Sequence, residues 1–348
     1  FTRVLTSEGL ISVPLTKSEI FQDTHLSKAE KRMLMRFITS IQPYVSSLAF
    51  QSAAQLGVDN ANKVKGTGET SSLGLDLDGS WQDFLQKQNL SERLQDLITY
   101  SICLWDWSLN QKDFPQLSCK TALERLGSFI SSLGLYGRGT SMPLLYPMYG
   151  IAEVAQGFTR LCAVHRGIYA LRTNATHLIA DQEERLCGLR TQRGEMINTQ
   201  CVVAACGELL EDQATSSSSS QQCRRMTALF TQPPLGEDGV SLCVVPPDAL
   251  GTPALQNVVQ VLQLDYSSGV CPHGYFVAHL SQSFVSDTDE SSFSDLDRVL
   301  DELMKRCPVD TKCIFRCRYL HIPRSTKRWN DATAAGSFMQ RCCESGQL

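Results

Sequence analysis

The chain has 348 residues, 42% hydrophobic and 20% charged, enough to bury a sizeable core in one large or two ordinary domains. Its 32 basic and 36 acidic side chains leave a formal charge of −4 without any Lys/Arg-rich block, which argues against a nucleic-acid partner. No apolar run approaches the roughly 20 residues that cross a bilayer. The fourteen scattered cysteines follow no leader segment and read as free thiols of a reducing, cytosolic compartment.

Residues 1–13, "FTRVLTSEGLISV", read as an extended strand, and an opening at Phe1 rather than Met implies a longer natural amino terminus. Ser27 and Glu30 then form a capping-box pattern ahead of "KRMLMRFITSI". Met33, Leu34, Phe37, Ile38 and Ile41 recur at helical spacing on one face, Lys28, Lys31, Arg32 and Arg36 crowd another, and Pro43 is the expected stop. Residues 51–80, rich in Gly, Ser, Asn and Thr, read as a flexible loop. Helical patterns resume at "SWQDFLQKQ" and at "LSERLQDLITYSICLW", where Leu90, Leu94, Leu97 and Ile98 form a stripe. "CKTALERLGSFISSLG" carries Leu123, Leu126, Phe129, Ile130 and Leu133, with Gly134 as its carboxyl cap. Residues 14–134 are therefore expected to be a helical domain.

The texture changes after residue 150. "GIYALRT", "HLIAD", "RLCGLRTQ", "MINTQCVVAA" and "RMTALFTQ" are short β-type segments between turn residues. Residues 212–222, "DQATSSSSSQQ", are low-complexity and expected to be disordered. "GVSLCVVPP", "NVVQVLQLDYS" and "GYFVAHLSQ" read as strands, "SFSDLDRVLDELMKRCP" as an amphipathic helix, and "KCIFRCRYLHIP" as the last strand. Residues 135–323 are expected to form an α/β domain, and 324–348 a disordered tail.

Catalytic signatures are missing. There is no GxGxxG, Walker loop, HExxH, GxSxG or CxxC pair, and the six histidines are dispersed. Cys313, Cys317 and His321 lie at four-residue steps of a strand, about 13 Å each, too far to share one ion, so with Cys307 they read as buried structural thiols. Cys271 to His273, "CPH", is a weaker pair in a turn. The expectation is a binding protein with no metal, no cofactor and no catalysis of its own.

Tyr146 to Arg172, "YPMYGIAEVAQGFTRLCAVHRGIYALR", sets one acid and one arginine among tyrosines and apolar residues. If this segment is helical, Glu153 and Arg160 stand two turns apart and face one way. Spacing alone leaves two readings open: an ion pair locking the helix to a sheet, or a polar pair directed at a partner. Phe21 is similarly open, as a hydrophobic staple or core residue before a helix, or as an exposed anchor.

The block "YGRGTSMPLLYPMYGIAEVAQGFTRLCAVHRGIYALR" resembles the Rab GDP-dissociation inhibitor and Rab escort protein superfamily, whose members share a "YPLYG-GELPQ-F-R-AI-GG-Y-L" pattern. The likeness continues weakly and collinearly from about residue 11 to 321. "GIYALR" is more similar to the escort proteins' "GIYCLR" than to the inhibitors' "GTYMLN", and Phe21 stands eleven residues before Arg32, as in the escort branch.

The resemblance implies an α/β (α+β) fold: a partial flavoprotein-like α/β domain with an inserted helical domain, the first βαβ unit and its glycine-rich turn being missing. It makes Tyr149, Glu153, Arg160 and Tyr169 a platform for GDP-bound Rab GTPases, and Phe21 and Arg32 contacts to the α subunit of the Rab geranylgeranyltransferase α/β heterodimer. The implied work is to present Rab for prenylation, shelter its geranylgeranyl lipid and deliver it to membranes from the cytosol. The alternatives are a Rab GDP-dissociation inhibitor and, more distantly, a fragment of a flavin-dependent oxidoreductase. Three departures bear on affinity: "GELPQ" is "AEVAQ" with Ala155 in place of the proline, the glycine pair is Arg166–Gly167, and "RGTSM" enlarges the loop before Pro143.

Overall fold

Strand β6 (Gln222–Phe230), whose burial alternates, and β9 (Phe276–Phe284), buried along most of both faces, pair antiparallel over their full lengths, from Gln222↔Phe284 to Phe230↔Phe276. They lie within a seven-stranded sheet of order β10-β6-β9-β8-β7-β1-β2. Its other members are β1 (Thr2–Thr6), β2 (Gly9–Ser12), β7 (Ser241–Val245), β8 (Val259–Leu264) and β10 (Cys313–His321). All neighbours are antiparallel except β1 and β7, which run parallel. The computed structural model describes residues 2–6, 9–14, 16–55, 79–105, 117–133, 144–181, 185–202, 222–284, 293–321 and 339–341.

A helix packs against strands β8 and β9 of this sheet. In α7 (Ser294–Arg306), Leu296, Val299, Leu300 and Leu303 are buried at helical spacing against Met226, Phe230, Val261 and Leu280. Full burial of each such side chain contributes about 1.5–3 kcal/mol. Asp295 and Asp297 sit in its first turn, Lys305 and Arg306 in its last, both favourable to the helix dipole. Asp295 is buried and satisfied: its Oδ2 accepts from the Gln256 amide N–H at 2.7 Å and the Gln282 side chain at 2.8 Å.

The helices α1 (Lys17–Gln22), α2 (Lys28–Gln55), α3 (Trp81–Lys87), α4 (Glu92–Asp96) and α5 (Cys119–Ser132) build a second cluster. A π-helical turn, Leu97–Ile102, prolongs α4, with the Cys103 N–H donating to the Ile98 carbonyl. Of the expected stripes, Leu34, Phe37 and Ile41 on α2, Leu90, Leu94, Leu97 and Ile98 around α4, and Leu123, Leu126 and Phe129 on α5 are buried, while Met33, Ile38, Ile130 and Leu133 are half-buried. Phe37, Trp81 and Phe84 interlock at centroid distances of 5.4–6.4 Å. Strand β1 serves both clusters: Val4 packs with the helices and Leu5, its neighbour, with the sheet and α7.

The chain divides into two compact units, residues 1–153 with 221–321, and 154–220 with 322–348. The second contains most of α6 (Ala152–Val164) and a four-stranded sheet of order β11-β3-β4-β5, from β3 (Ala175–Ala180), β4 (Leu186–Thr191), β5 (Met196–Asn198) and β11 (Met339–Arg341).

Several expectations are corrected. Within the expected single strand 1–13, Thr2–Thr6 and Gly9–Ser12 are instead two strands paired antiparallel. Helix α2 does not stop at Pro43 but runs on to Gln55, so residues 51–55 are helix, not loop. Proline removes one helical hydrogen bond, and burial of Ile41, Tyr44 and Val45 on the same face offsets that loss. "GIYALRT" is not a strand; pairing starts at Ala175. Gln222 is buried at the start of β6 instead of lying in a disordered run, and Met339–Arg341 of the tail pairs in parallel with β3. Residues 56–78, Gly134, the "RGTSM" insertion and 212–221 lie outside the described residues.

The thiols of β10 are not buried. This strand pairs with β6 at the sheet margin, and Cys317 is exposed and Cys313 half-buried. A bulge between Cys313 and Phe315 also breaks the alternation, so Cys313 packs with the α7 cluster and no longer shares the face of Cys317. Arg316 and Arg318, two residues apart on one face, both reach Asp297 of α7, at 3.2 and 2.6 Å.

Candidate functional site

The segment singled out in the sequence begins with a tight turn. Gly150 donates its N–H to the Pro147 carbonyl at 3.2 Å, and Glu153 donates to Gly150 at 3.1 Å as α6 starts. Tyr149 occupies the left-handed region, φ 66°, which bulky residues seldom adopt unless the surroundings hold them. Here the Tyr149 N–H donates to the Ser268 carbonyl at 2.7 Å, in a 3₁₀ turn formed by Tyr266–Ser268. A Cβ on Gly269 would come within 2.7 Å of the Tyr149 ring, so the ring lies where only glycine leaves room.

Helix α6 has no buried residue. Ile151, Val154, Phe158 and Leu161 follow one another at helical spacing, and all are exposed, Phe158 at 68%. Glu153 and Arg160 stand about a third of a turn round the helix from that stripe. Glu153 is half-buried, Arg160 is exposed, and neither side chain takes part in an ion pair among the described residues. Of the two readings that spacing left open, the internal ion pair is not formed among the described residues.

The end of α6 explains one departure from the family pattern. Gly167 donates to the Cys162 carbonyl at 2.8 Å and Arg166 to Ala163 at 3.0 Å, the two bonds of a Schellman cap. Arg166, at φ 67°, fills the left-handed position where glycine is favoured. Gly167 cannot change, since a Cβ there would lie 2.9 Å from the Cys162 carbonyl oxygen. Beyond the cap Ile168, Tyr169 and Leu171 are exposed.

Phe21 and Arg32 lie elsewhere, on α1 and α2. Thr16 caps α1 by accepting from the Glu19 N–H at 3.2 Å. Ile20 is buried while Phe21 is 67% exposed, so Phe21 is neither core nor staple. Leu26 is the buried residue preceding the capping box, whose two reciprocal bonds form: Ser27 N–H to Glu30 at 2.9 Å and Glu30 N–H to Ser27 at 3.2 Å. Burial alone would raise the Glu30 carboxyl, but the Ser27 hydrogen bonds, the Arg93 charge and the Ser91 hydroxyl together hold it below its ordinary value. Lys31 ties the Phe21 carbonyl to α2 at 2.9 Å. Arg32, next in sequence, is exposed with its Nε donating to Lys28 at 3.1 Å.

Asp96 escaped the sequence reading. It lines a cleft of about 300 Å³ with Glu92, Arg93 and Asp248. Although its side chain still reaches solvent, partial desolvation in the cleft first, and then the Asp248 and Glu92 charges, push its carboxyl up to about 6. Asp248 is far from Asp96 along the chain, and no local pattern announces the meeting. Among the described residues no group of three His, Cys, Asp or Glu side chains could hold a metal ion, and no helix is long and apolar enough to cross a membrane.

Residues 3–314 match the family described as GDP dissociation inhibitor. The chain belongs to that family. It is 26% identical to Rab escort protein 1 of Arabidopsis thaliana, over 92% of this chain and 60% of the relative. It is 27% identical to the Rab proteins geranylgeranyltransferase component A of Drosophila melanogaster, over 91% of this chain and 55% of the relative. The Rab GDP-dissociation inhibitor of Saccharomyces cerevisiae is 24% identical over 80% of this chain and 55% of its own length. The chain thus spans between 41% and 60% of the length of such curated relatives.

Among solved structures, Rab GDI from Plasmodium falciparum superposes with a TM-score of 0.63 at 16% identity, covering 96% of this chain and 65% of that one. An oxidoreductase from Methanosarcina mazei reaches a TM-score of 0.53 at 14% identity, over 91% of this chain and 68% of its own. These two likenesses concern the fold, and they agree with the expected mixed α/β architecture.

Proposed function

We propose that this chain is the GTPase-binding and prenyltransferase-contacting part of a Rab escort protein. GDP-bound Rab docks on Tyr149, Glu153, Arg160 and Tyr169, carried by the α/β part, residues 135–323. Phe21 and Arg32, on the helical part 14–134, meet the α subunit of the Rab geranylgeranyltransferase α/β heterodimer. The chain presents its substrate and contributes no catalytic group.

Lipid chemistry gives this work its reason. Each buried methylene of a prenyl chain favours the membrane by about 0.8 kcal/mol, and two chains anchor stably. A doubly geranylgeranylated Rab therefore stays in the cytosol only if a protein shelters the lipid, and the helical part is the proposed shelter until delivery to a membrane.

The observation that carries the proposal is α6 itself: a family member's helix whose glutamate, arginine and apolar stripe are all left without a partner among the described residues. Charged groups of both signs give orientation and choice of partner, and flanking aromatics supply buried area. The test is capture of GDP-loaded Rab by the chain carrying Glu153→Lys, Arg160→Glu and Tyr169→Ala. Loss of capture is expected; undiminished capture would sink the platform.

The nearest alternative is a Rab GDP-dissociation inhibitor, favoured by the likeness to the yeast protein of that name. The exposed Phe21 favours the escort reading, and prenyltransferase pull-down with and without Phe21→Ala separates the two.

A further inference from the structure

The turn that seats Tyr149 has features of its own. It runs from Asp265 to Tyr275, and between Tyr266 and Tyr275 it holds no Lys, Arg, Asp or Glu. It is ordered by its own bonds: Asp265 accepts from the Ser267 N–H at 3.1 Å, Ser268 Oγ donates to the Asp265 carbonyl at 2.6 Å, and Gly269 donates to Tyr266 at 2.9 Å. Further on, the Cys271 thiol donates to the Tyr275 carbonyl at 3.0 Å, and the Tyr275 N–H to Pro272 at 3.2 Å.

On this frame sit aromatic side chains turned outward. Tyr266 is 60% exposed and Tyr275 is exposed, while Tyr266 and His273 meet edge-to-face at 5.7 Å between centroids. The described residues bury neither ring. An exposed aromatic pair on a pre-ordered turn loses little freedom when it is covered, which makes it an economical contact. The turn is continuous with Tyr149, through the Ser268 carbonyl, the Gly269 backbone and Val270, which approaches Gly150.

We propose that the turn Asp265–Tyr275, through Tyr266 and His273, is a second contact strip for the small GTPase that Tyr149 meets. The inference rests on the reading of Tyr149 and α6 as the Rab platform. The complementary surface is uncharged: an apolar patch carrying one hydrogen-bonding group for the Tyr266 hydroxyl, not an ion-pairing one. The strip contributes neutral, salt-insensitive binding beside the charge-directed binding of Glu153 and Arg160.

The test measures the affinity of the full chain for GDP-loaded Rab at low and high salt. Tyr266→Ala with His273→Ala is expected to weaken binding about tenfold at both salt concentrations, and Tyr266→Phe to stay within about threefold of the parent. Glu153→Lys with Arg160→Glu serves as the control for the platform. If that control abolishes capture while the alanine pair binds like the parent, the strip is overturned and the platform stands. If the alanine pair weakens capture and the charge reversal does not, the platform falls, and the strip as its extension falls with it. Failure of both to change capture, or a parent that captures no Rab, overturns both.

Discussion

Tyr149 and Ser268, far apart in the chain, are joined by a 2.7 Å hydrogen bond from the tyrosine N–H to the serine carbonyl. That bond holds Tyr149 in the left-handed conformation and lays its ring over Gly269. Gly269→Ala would thrust a methyl to 2.7 Å from the ring, at a backbone φ of 73° that alanine avoids. The expected cost is about 2 kcal/mol, read as a lower denaturation midpoint, together with weaker Rab capture. A variant as stable as the parent would show that Tyr149 is not seated there.

Arg166 offers the opposite case. It holds the left-handed position of a Schellman cap with no β-carbon relief, so Arg166→Gly is expected to stabilise the unit that contains α6 by about 1 kcal/mol. Urea unfolding followed by far-ultraviolet circular dichroism measures it. A destabilised variant would mean that the arginine makes contacts worth more than the strain.

Phe21→Ala separates function from stability. Because the ring is 67% exposed, unfolding free energy should stay within about 0.5 kcal/mol of the parent. Prenyltransferase capture should nevertheless be lost. A large loss of stability would return Phe21 to the core.

Asp96 gives a pH dependence whose sign is opposite to that of an ordinary paired carboxylate. Its folded value of about 6 lies above the roughly 3.9 of an unfolded aspartate, so between these values the folded chain binds more protons. Its contribution favours folding below that window and is lost as pH rises through about 6. The groups around it are Asp248, Glu92 and Arg93 in the cleft, with Tyr100 raised by burial and by the Asp96 and Asp248 charges. Asp96→Asn should flatten this part of the profile and stabilise the chain at neutral pH by about 1 kcal/mol, the full shift being discounted for the partial exposure of the group. Equal pH profiles for the two proteins would refute the assignment.

What was legible in the sequence was local. Ser27 and Glu30 are three residues apart and satisfy one another's backbone partners, so the start of α2 follows from four residues. Its end does not, because the penalty at Pro43 is local and the burial of Tyr44 and Val45 that offsets it is tertiary. The parity of β10 failed for a related reason: one extra residue at the Cys313–Phe315 bulge reverses every face beyond it. At the candidate site, Glu153 and Arg160 could be placed on one helix by counting, whereas the Tyr149 seat required a left-handed tyrosine and a distant turn. Whether Phe21 was anchor or core could not be counted either, since only the burial of Ile20 and Leu26 beside it decides which way the ring turns.

Strand β1 carries Val4 and Leu5 into different hydrophobic clusters, one on each side of a single five-residue strand. Neither cluster can come apart without pulling that strand from the other, so the helices and the large sheet are bound to melt in a single cooperative transition. A cavity cut at Val4 should therefore loosen amide protons in β8 and β9 as readily as those in α5.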